Sequence, residues 1–266
     1  MRDITIGQFY NVDSLIHRLD PRVKIIFALV YVTALFFDKS PILFGVAIGT
    51  LVCYIRFSKV PVRFLFRGMK SLYIIILLSG FMNLLTVKGA KTIVEWQFIR
   101  ITEAGVSAAI YTSLRLLLMI IGSSMMTYTT TPNSLTDGLE KMLGWMKRWK
   151  VPVHEFAMIM SIALRFVPVL VEELDKIMKA QMARGIDFKE GNLLVRVRKL
   201  IPILIPLFVS ATKRSNELAL TMDARCYHGG EGRTKMKPLC YQRRDYIAYG
   251  FIFVYFISMI AIAIWF

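Results

Sequence analysis

The sequence predicts an all-α polytopic membrane protein, with about five transmembrane helices and further long helices on the cytoplasmic side. Three observations carry this reading. The 266 residues are 56% hydrophobic and only 20% charged, with a mean hydropathy of +0.53; a soluble domain carries about 25% charge. The 34 Lys and Arg outnumber 18 Asp and Glu, a net charge of +16. That charge is unevenly spread: residues 131–244 hold 20 Lys/Arg and 11 Asp/Glu, whereas residues 246–266 hold none. The chain therefore divides into membrane helices over 1–130 (about four spans), a charged region over 131–244 and a closing membrane helix over 245–266.

Several classes fall away. A disordered chain lacks this much apolar mass. Three cysteines, Cys53, Cys226 and Cys240, cannot pair completely, which excludes a disulfide scaffold. A wholly soluble enzyme does not fit the composition. No basic stripe separates from the apolar runs, so no nucleic-acid partner is expected. Arg2, Asp3, Asp13, Arg18, Asp20, Arg22 and Lys24 break up the first 24 residues, so no cleavable signal peptide is expected there.

The elements follow in order. Asp20-Pro21 marks a helix start, since Asp can cap and Pro is tolerated at the first helical position. Residues 25–37 form an apolar run, Asp38-Lys39-Ser40-Pro41 interrupts it, and residues 42–55 form a second. With Lys24 and Arg56 at the flanks, the two make a transmembrane hairpin. Gly45 and Gly49 match a GxxxG pattern, a generic device for close helix packing. Arg56, Lys59, Arg63, Arg67 and Lys70 then form a basic loop, cytoplasmic under the positive-inside rule. Residues 71–87 are a third run, 88–103 a mixed loop carrying Trp96, and 104–130 a fourth run containing Arg115. Arg115 is a possible intramembrane polar site, or a residue that snorkels or pairs within the bundle. Alternating the spans places residues 131–244 on the same side as the basic loop.

The charged region is the most informative. Residues 132–150 read as an amphipathic helix, with Leu135, Leu139, Met142, Leu143 and Met146 at helical spacing and Trp145 and Trp149 at an interface. A long helix then begins near Phe156 and ends at Ala183-Arg184-Gly185, with Leu174, Ile177, Met178 and Met182 as its apolar stripe. A second begins near Arg196, contains Pro202 and Pro206, and ends at Ala224-Arg225-Cys226. Each is apolar at its start and polar at its end, and about 30 helical residues reach roughly 45 Å. The apolar part of the second is too short to span a bilayer. Arg in the last turn and Gly just past it is ordinary helix-ending chemistry, but two such ends in matching contexts also suit recognition of partner proteins by a guanidinium fork.

At these residues the chain resembles the transmembrane scaffold, or T component, of energy-coupling factor transporters for vitamins and metals, the cobalt-transport permease-like family. The likeness rests on the Ala183-Arg184-Gly185 and Ala224-Arg225-Cys226 pair. It rests also on Gly7-Gln8-Phe9-Tyr10, on the segment from Ser14 through Leu15, Ile16, His17, Arg18, Leu19, Asp20 and Pro21 to Arg22, and on the tail Gly229-Gly230-Glu231-Gly232-Arg233-Thr234. The resemblance implies a non-catalytic membrane subunit. Two ABC-type ATPase subunits would bind ATP and magnesium, and a membrane substrate-capture subunit would hold the vitamin or metal. Two cytoplasmic coupling helices would seat Arg184 and Arg225 in grooves of the two ATPases and pass their closure to the capture subunit. Cys226 replaces the family's Gly, and this departure predicts a different cap geometry at the second end.

The remaining motifs agree with a non-catalytic role. The segment Gly229–Lys235 lacks the Gly-Lys-Ser/Thr ending of a phosphate loop. His154-Glu155 begins a zinc-protease pattern, but Met158 stands at the second histidine's place. Cys226, His228 and Cys240 are too few and oddly spaced for a structural zinc. The competing reading is a self-contained secondary transporter, which calls for acids at mid-bilayer; the spans offer Arg115 and no Asp or Glu near their middles.

Overall fold

The computed structural model describes residues 9–37, 40–69, 72–87, 92–96, 99–188, 192–229 and 238–265. Of the residues named above, Arg2, Asp3, Gly7, Gln8, Asp38, Lys39, Lys70 and those from 230 to 235 lie outside the described residues. The chain forms two compact units, one of Gly7–Gly138 with Leu239–Phe266 and one containing Leu139–Pro238.

The first unit is helical, as its composition requires. It contains α1 (Pro21–Ala34, with a 3-10 turn Leu35–Phe37), α2 (Pro41–Ser58), α3 (Val62–Met69), α4 (Tyr73–Thr86) and α5 (Glu103–Thr129). The start of α6 (Pro132–Met142) follows, and α9 (Arg243–Trp265) closes the unit. Helices occupy all five positions read as spans, but the segment read as a basic loop is largely helical, with Arg56 on α2 and Arg63 and Arg67 on α3. Three of the five, α2, α5 and α9, are long and apolar enough to cross a membrane. Helices α1 and α4 have 14 residues each, about 21 Å of helix, and need their flanks to reach across.

The helix starts follow the local chemistry. Asp20 caps α1 by accepting from the Arg22 N–H, with Pro21 at the first position. Ser40 does the same for α2 ahead of Pro41. Thr102 caps α5, accepting from the Gly105 N–H at 3.1 Å. The segment expected to be a mixed loop contains a two-stranded antiparallel hairpin, β1 (Thr92–Trp96) and β2 (Ile99–Thr102), with Glu95 opposite Arg100. It is the one departure from pure helix among the described residues, and it leads directly into the Thr102 cap.

The core of this unit is an aromatic stack. Tyr54 on α2 lies over Phe27 on α1 at 4.8 Å, Phe27 is 5.9 Å from Tyr31, and Tyr31 is 6.1 Å from Tyr255 on α9. Tyr31 is fully buried. Gly122 on α5 permits this arrangement, because a Cβ there would sit 2.5 Å from the Tyr31 ring. Gly80 similarly lets α4 approach α5, where a Cβ would meet Ser113 Oγ at 2.7 Å. The GxxxG pair behaves differently from its expected role: Gly45 and Gly49 have open space beside them. Close packing within the chain uses single glycines on α4 and α5 instead, while Ala47, between the two, is the fully buried residue of that stretch.

A polar knot joins three helix ends. Asp245, 2% exposed, accepts from the Gln242 N–H at 2.7 Å, capping α9. It also accepts from the Asp20 N–H at 2.9 Å, at the start of α1. Arg22 grips Asp20 through Nε and Nη2 at 3.0 and 2.9 Å, and its guanidinium lies 3.8 Å over the Tyr241 ring. Buried Lys24 donates to the carbonyls of Thr129 at 2.8 Å and His17 at 3.2 Å. It thereby satisfies the end of α5, where a cation also suits the helix dipole. His17 Nε2–H donates to the Tyr10 carbonyl at 3.0 Å, so Nδ1 accepts from Ser14 Oγ–H at 2.7 Å. Burial and the Lys24 charge hold this imidazole below its ordinary pKa, in the neutral form these contacts require.

Replacing Asp245 with Leu removes a charged acceptor from two N–H groups, that of Asp20 in a buried bond and that of Gln242 in a part-buried one. The expected loss is about 3 kcal/mol, read as a lower unfolding midpoint of the detergent-solubilised protein. Asp245→Asn, which keeps one acceptor, loses about half as much.

Candidate functional site

The second unit is dominated by two long helices, α7 (Val153–Ala183, 31 residues) and α8 (Leu193–Ala224, 32 residues). Their boundaries arise locally. Pro152 precedes α7, and residues 143–149 form a 3-10 segment that extends α6, with Trp145 and Trp149 exposed. His154 in the first turn of α7 pairs with Glu140 at 2.9 Å.

The two helices pack antiparallel. Glu173 on α7 meets Arg214 on α8 at 3.6 Å, and Gln181 on α7 donates to the Pro202 carbonyl at 3.3 Å. The second contact has a backbone cause. Pro206 has no N–H, so the carbonyl four residues earlier, that of Pro202, loses its helical donor. The Gln181 amide replaces it. Gln181 is buried, whereas Met182, assigned to the apolar stripe by sequence, is half exposed. The stripe runs 174, 177, 178, 181 and ends on a polar residue. Sequence reasoning missed Gln181; the signal was the Pro202–Pro206 spacing, which orphans a carbonyl and calls for a donor from a neighbouring element.

Both helices end in the same motif. At the end of α7, Gly185 N–H donates to Met182 O at 3.0 Å and Ile186 N–H to Gln181 O at 3.1 Å. At the end of α8, Cys226 N–H donates to Asp223 O at 2.9 Å and Tyr227 N–H to Met222 O at 3.1 Å. Each is a complete Schellman cap, with the residue after the arginine left-handed: Gly185 at φ 88° and Cys226 at φ 55°. The different geometry expected for Cys226 is therefore corrected. The thiol-bearing residue adopts the glycine conformation, and the two hydrogen bonds of the cap hold it there. Ala183, Arg184, Gly185, Ala224, Arg225 and Cys226 are all solvent-exposed.

Antiparallel packing puts the two caps at opposite ends of the pair. Pro202 lies beside Gln181, three residues before Arg184. Arg225 is 23 residues further along α8, about 35 Å of helix. One rigid pair thus presents two guanidinium groups, each on an identically folded tip. Neither has the setting of a catalytic group. Arg115 lies elsewhere, midway along α5, half-buried and engaged with a neighbouring group.

Cys226→Gly removes a left-handed strain of about 1 kcal/mol, partly offset by glycine's greater unfolded-state entropy; the Tyr227 amide should exchange more slowly with solvent. Gln181→Leu strips the Pro202 carbonyl of its donor, a loss of about 1–3 kcal/mol, and should speed exchange in the middle of α8 while leaving both caps protected.

The family model described as cobalt transport protein matches residues 13–236. The chain is 49% identical over 245 residues to the energy-coupling factor transporter transmembrane protein EcfT of Acidaminococcus fermentans, covering 92% of this chain and 91% of that one. It is 46% identical over 251 residues to the EcfT of Clostridium kluyveri, covering 93% and 92%. It is 42% identical over 245 residues to the EcfT of Bacillus subtilis, covering 92% of each. On a match spanning both caps and the helix pair between them, the chain belongs to the cobalt transport protein family and is a transmembrane component of the energy-coupling factor transporter type.

Proposed function

We propose that this chain couples two cytoplasmic ATPase subunits to a membrane substrate-capture subunit in an ATP-driven importer of a vitamin or metal ion. The observation that carries the reading is the matched pair of exposed Schellman-capped ends, Ala183-Arg184-Gly185 and Ala224-Arg225-Cys226, at opposite ends of one antiparallel helix pair. A left-handed turn directly after each arginine terminates the helix. Each guanidinium then stands on the tip with little backbone around it, free to enter a groove and pair bidentately with a carboxylate or with carbonyls. Two such tips about 35 Å apart along the helix suit two similar receptors. In this reading ATP and magnesium are bound by those partners.

Transmission follows from the stiffness of the pair. Gln181 and the Glu173–Arg214 ion pair cross-link α7 and α8, so a displacement of either tip moves both helices. Their outward faces remain apolar: Phe156, Ile159, Leu204, Ile205, Phe208 and Val209 are each more than half exposed. An apolar surface of that extent on a polar-ended unit marks an interaction site. We assign it to the substrate-capture subunit, which would be tilted in the bilayer as the ATPases close. The basic residues Arg56, Lys59, Arg63 and Arg67 favour the cytoplasmic side of the cell membrane under the positive-inside rule, and this reading takes the two arginine tips to work on that side as well.

Arg184→Glu and Arg225→Glu should each weaken ATPase docking by about tenfold or more, the scale of one desolvated charge pair, without affecting membrane insertion. The measurement is co-purification of both ATPases with the tagged chain, together with uptake by cells. If the double variant retains both ATPases and supports uptake, the tips are not the docking residues. The purified chain alone should hydrolyse no ATP.

A further inference from the structure

Two adjoining cavities in the first unit are used by none of the preceding argument. One is an apolar groove of about 410 Å³ between α1, α2 and α9, walled by Phe27, Phe57, Phe251 and Ile252 among others. The second, about 380 Å³, is lined by Asp13, Ser14, Leu15, Arg18, Arg56, Phe57 and Lys59. Leu15 and Phe57 line both cavities, so the two meet along a shared wall.

Their chemistry differs in a directed way. The groove is open at its side, where Phe57, Phe251 and Ile247 are each more than half exposed. The second cavity is basic. Its single acid, Asp13, is already gripped by Arg18 through both carboxylate oxygens, which leaves Arg56 and Lys59 as the charges facing the space. Arg244 also lines the groove. Its Nε is buried and makes no hydrogen bond among the described residues, an N–H donor awaiting an acceptor. An apolar slot between two candidate spanning helices and α1, joined to a pocket whose Arg56 and Lys59 have no ion-pair partner among the described residues, has the form of a tail and a phosphate.

We propose that these cavities together hold one anionic phospholipid, its phosphate at Arg56 and Lys59 and an acyl chain in the groove between α1, α2 and α9. The Arg244 N–H donates to an ester or phosphate oxygen of the same molecule. Basic pockets between membrane helices take such headgroups by charge, and the groove adds the apolar contact that separates a lipid from a free anion. Asp13 and Arg18 neutralise each other in the lining, so the net charge of the pocket is that of Arg56 and Lys59. The leaflet is the one on the side of Arg56, Lys59 and Arg63, which under the positive-inside rule is the cytoplasmic leaflet, where anionic lipid is concentrated. The inference does not depend on which subunits dock at Arg184 and Arg225.

The test uses the full chain in mild detergent, titrated with phosphatidylglycerol or phosphatidylcholine of identical acyl chains and read by native mass spectrometry and by the unfolding midpoint. Phosphatidylglycerol should be retained over phosphatidylcholine by about tenfold or more, the scale set by two basic side chains. The double variant Arg56→Gln/Lys59→Gln should bring that ratio close to one, with its lipid-free unfolding midpoint unchanged. Cys53 is exposed and lines the groove, and provides a second readout that needs no bulky substitution. In a Cys226→Gly/Cys240→Ser background, phosphatidylglycerol should slow its modification by a maleimide. Equal retention of the two lipids, or a preference that survives the double variant, overturns the proposal. So does the same stabilisation by inorganic phosphate alone, which would make this a free-anion pocket. Protection of Cys53 by a co-purified membrane subunit but not by phosphatidylglycerol overturns it as well, and gives the groove to a protein helix.

Discussion

The membrane unit depends on a buried carboxylate that serves two helices at once. Asp245 satisfies the N-terminal N–H of its own helix through Gln242 and, with its other oxygen, the N–H of Asp20. Asp20 in turn caps α1 and holds Arg22. Helix ends leave unpaired backbone groups, and in an apolar surrounding each unpaired group is costly. Here the start of α1, the start of α9 and the end of α5 are answered by Asp20, Asp245 and Lys24. The three side chains are almost wholly buried. Because Asp245 and Lys24 are each tied to a backbone group of another element, removing either leaves a donor or an acceptor without water to replace it.

The rest of that unit packs outward from this knot. Once the ends of α1, α5 and α9 are pinned, the rings of Phe27, Tyr31, Tyr54 and Tyr255 stack across three helices, and Gly122 admits Tyr31 against α5. Lipid tails are as apolar as side chains, so these contacts must win by shape rather than by exclusion of water. Large flat rings against a missing Cβ do that. The faces turned outward on α2, α4 and α9 stay apolar and exposed, as a lipid-facing surface requires.

The second unit holds two arginines far apart on one antiparallel helix pair. Antiparallel packing supplies the distance. The prolines in α8 supply the rigidity by an indirect route: Pro206 frees a carbonyl, and Gln181 locks it to α7 next to the first cap. The same pair of Schellman hydrogen bonds closes at Gly185 and at Cys226, so the cap forms with or without a glycine. Cys226 bears a modest left-handed strain so that Arg225 is presented in the same frame as Arg184.

Local chemistry made much of this legible in the sequence. Apolar run lengths determined the positions of the helices, Asp20-Pro21 the start of α1, and Ala-Arg followed by a turn residue the ends of α7 and α8, because each depends on only a few neighbouring residues; Ser40-Pro41, read only as an interruption, caps α2 in the same way. What the tertiary structure alone decided is which groups meet across the chain. Asp245 with Asp20, Lys24 with Thr129, Gly122 with Tyr31 and Gln181 with Pro202 are separated by between 21 and 225 positions. The periodic pattern of a helix tells which face is apolar but not which neighbour that face will find. For that reason the glycine pair at 45 and 49 suggested an interface that α2 does not form, and the buried glutamine at 181 was hidden behind the methionine beside it.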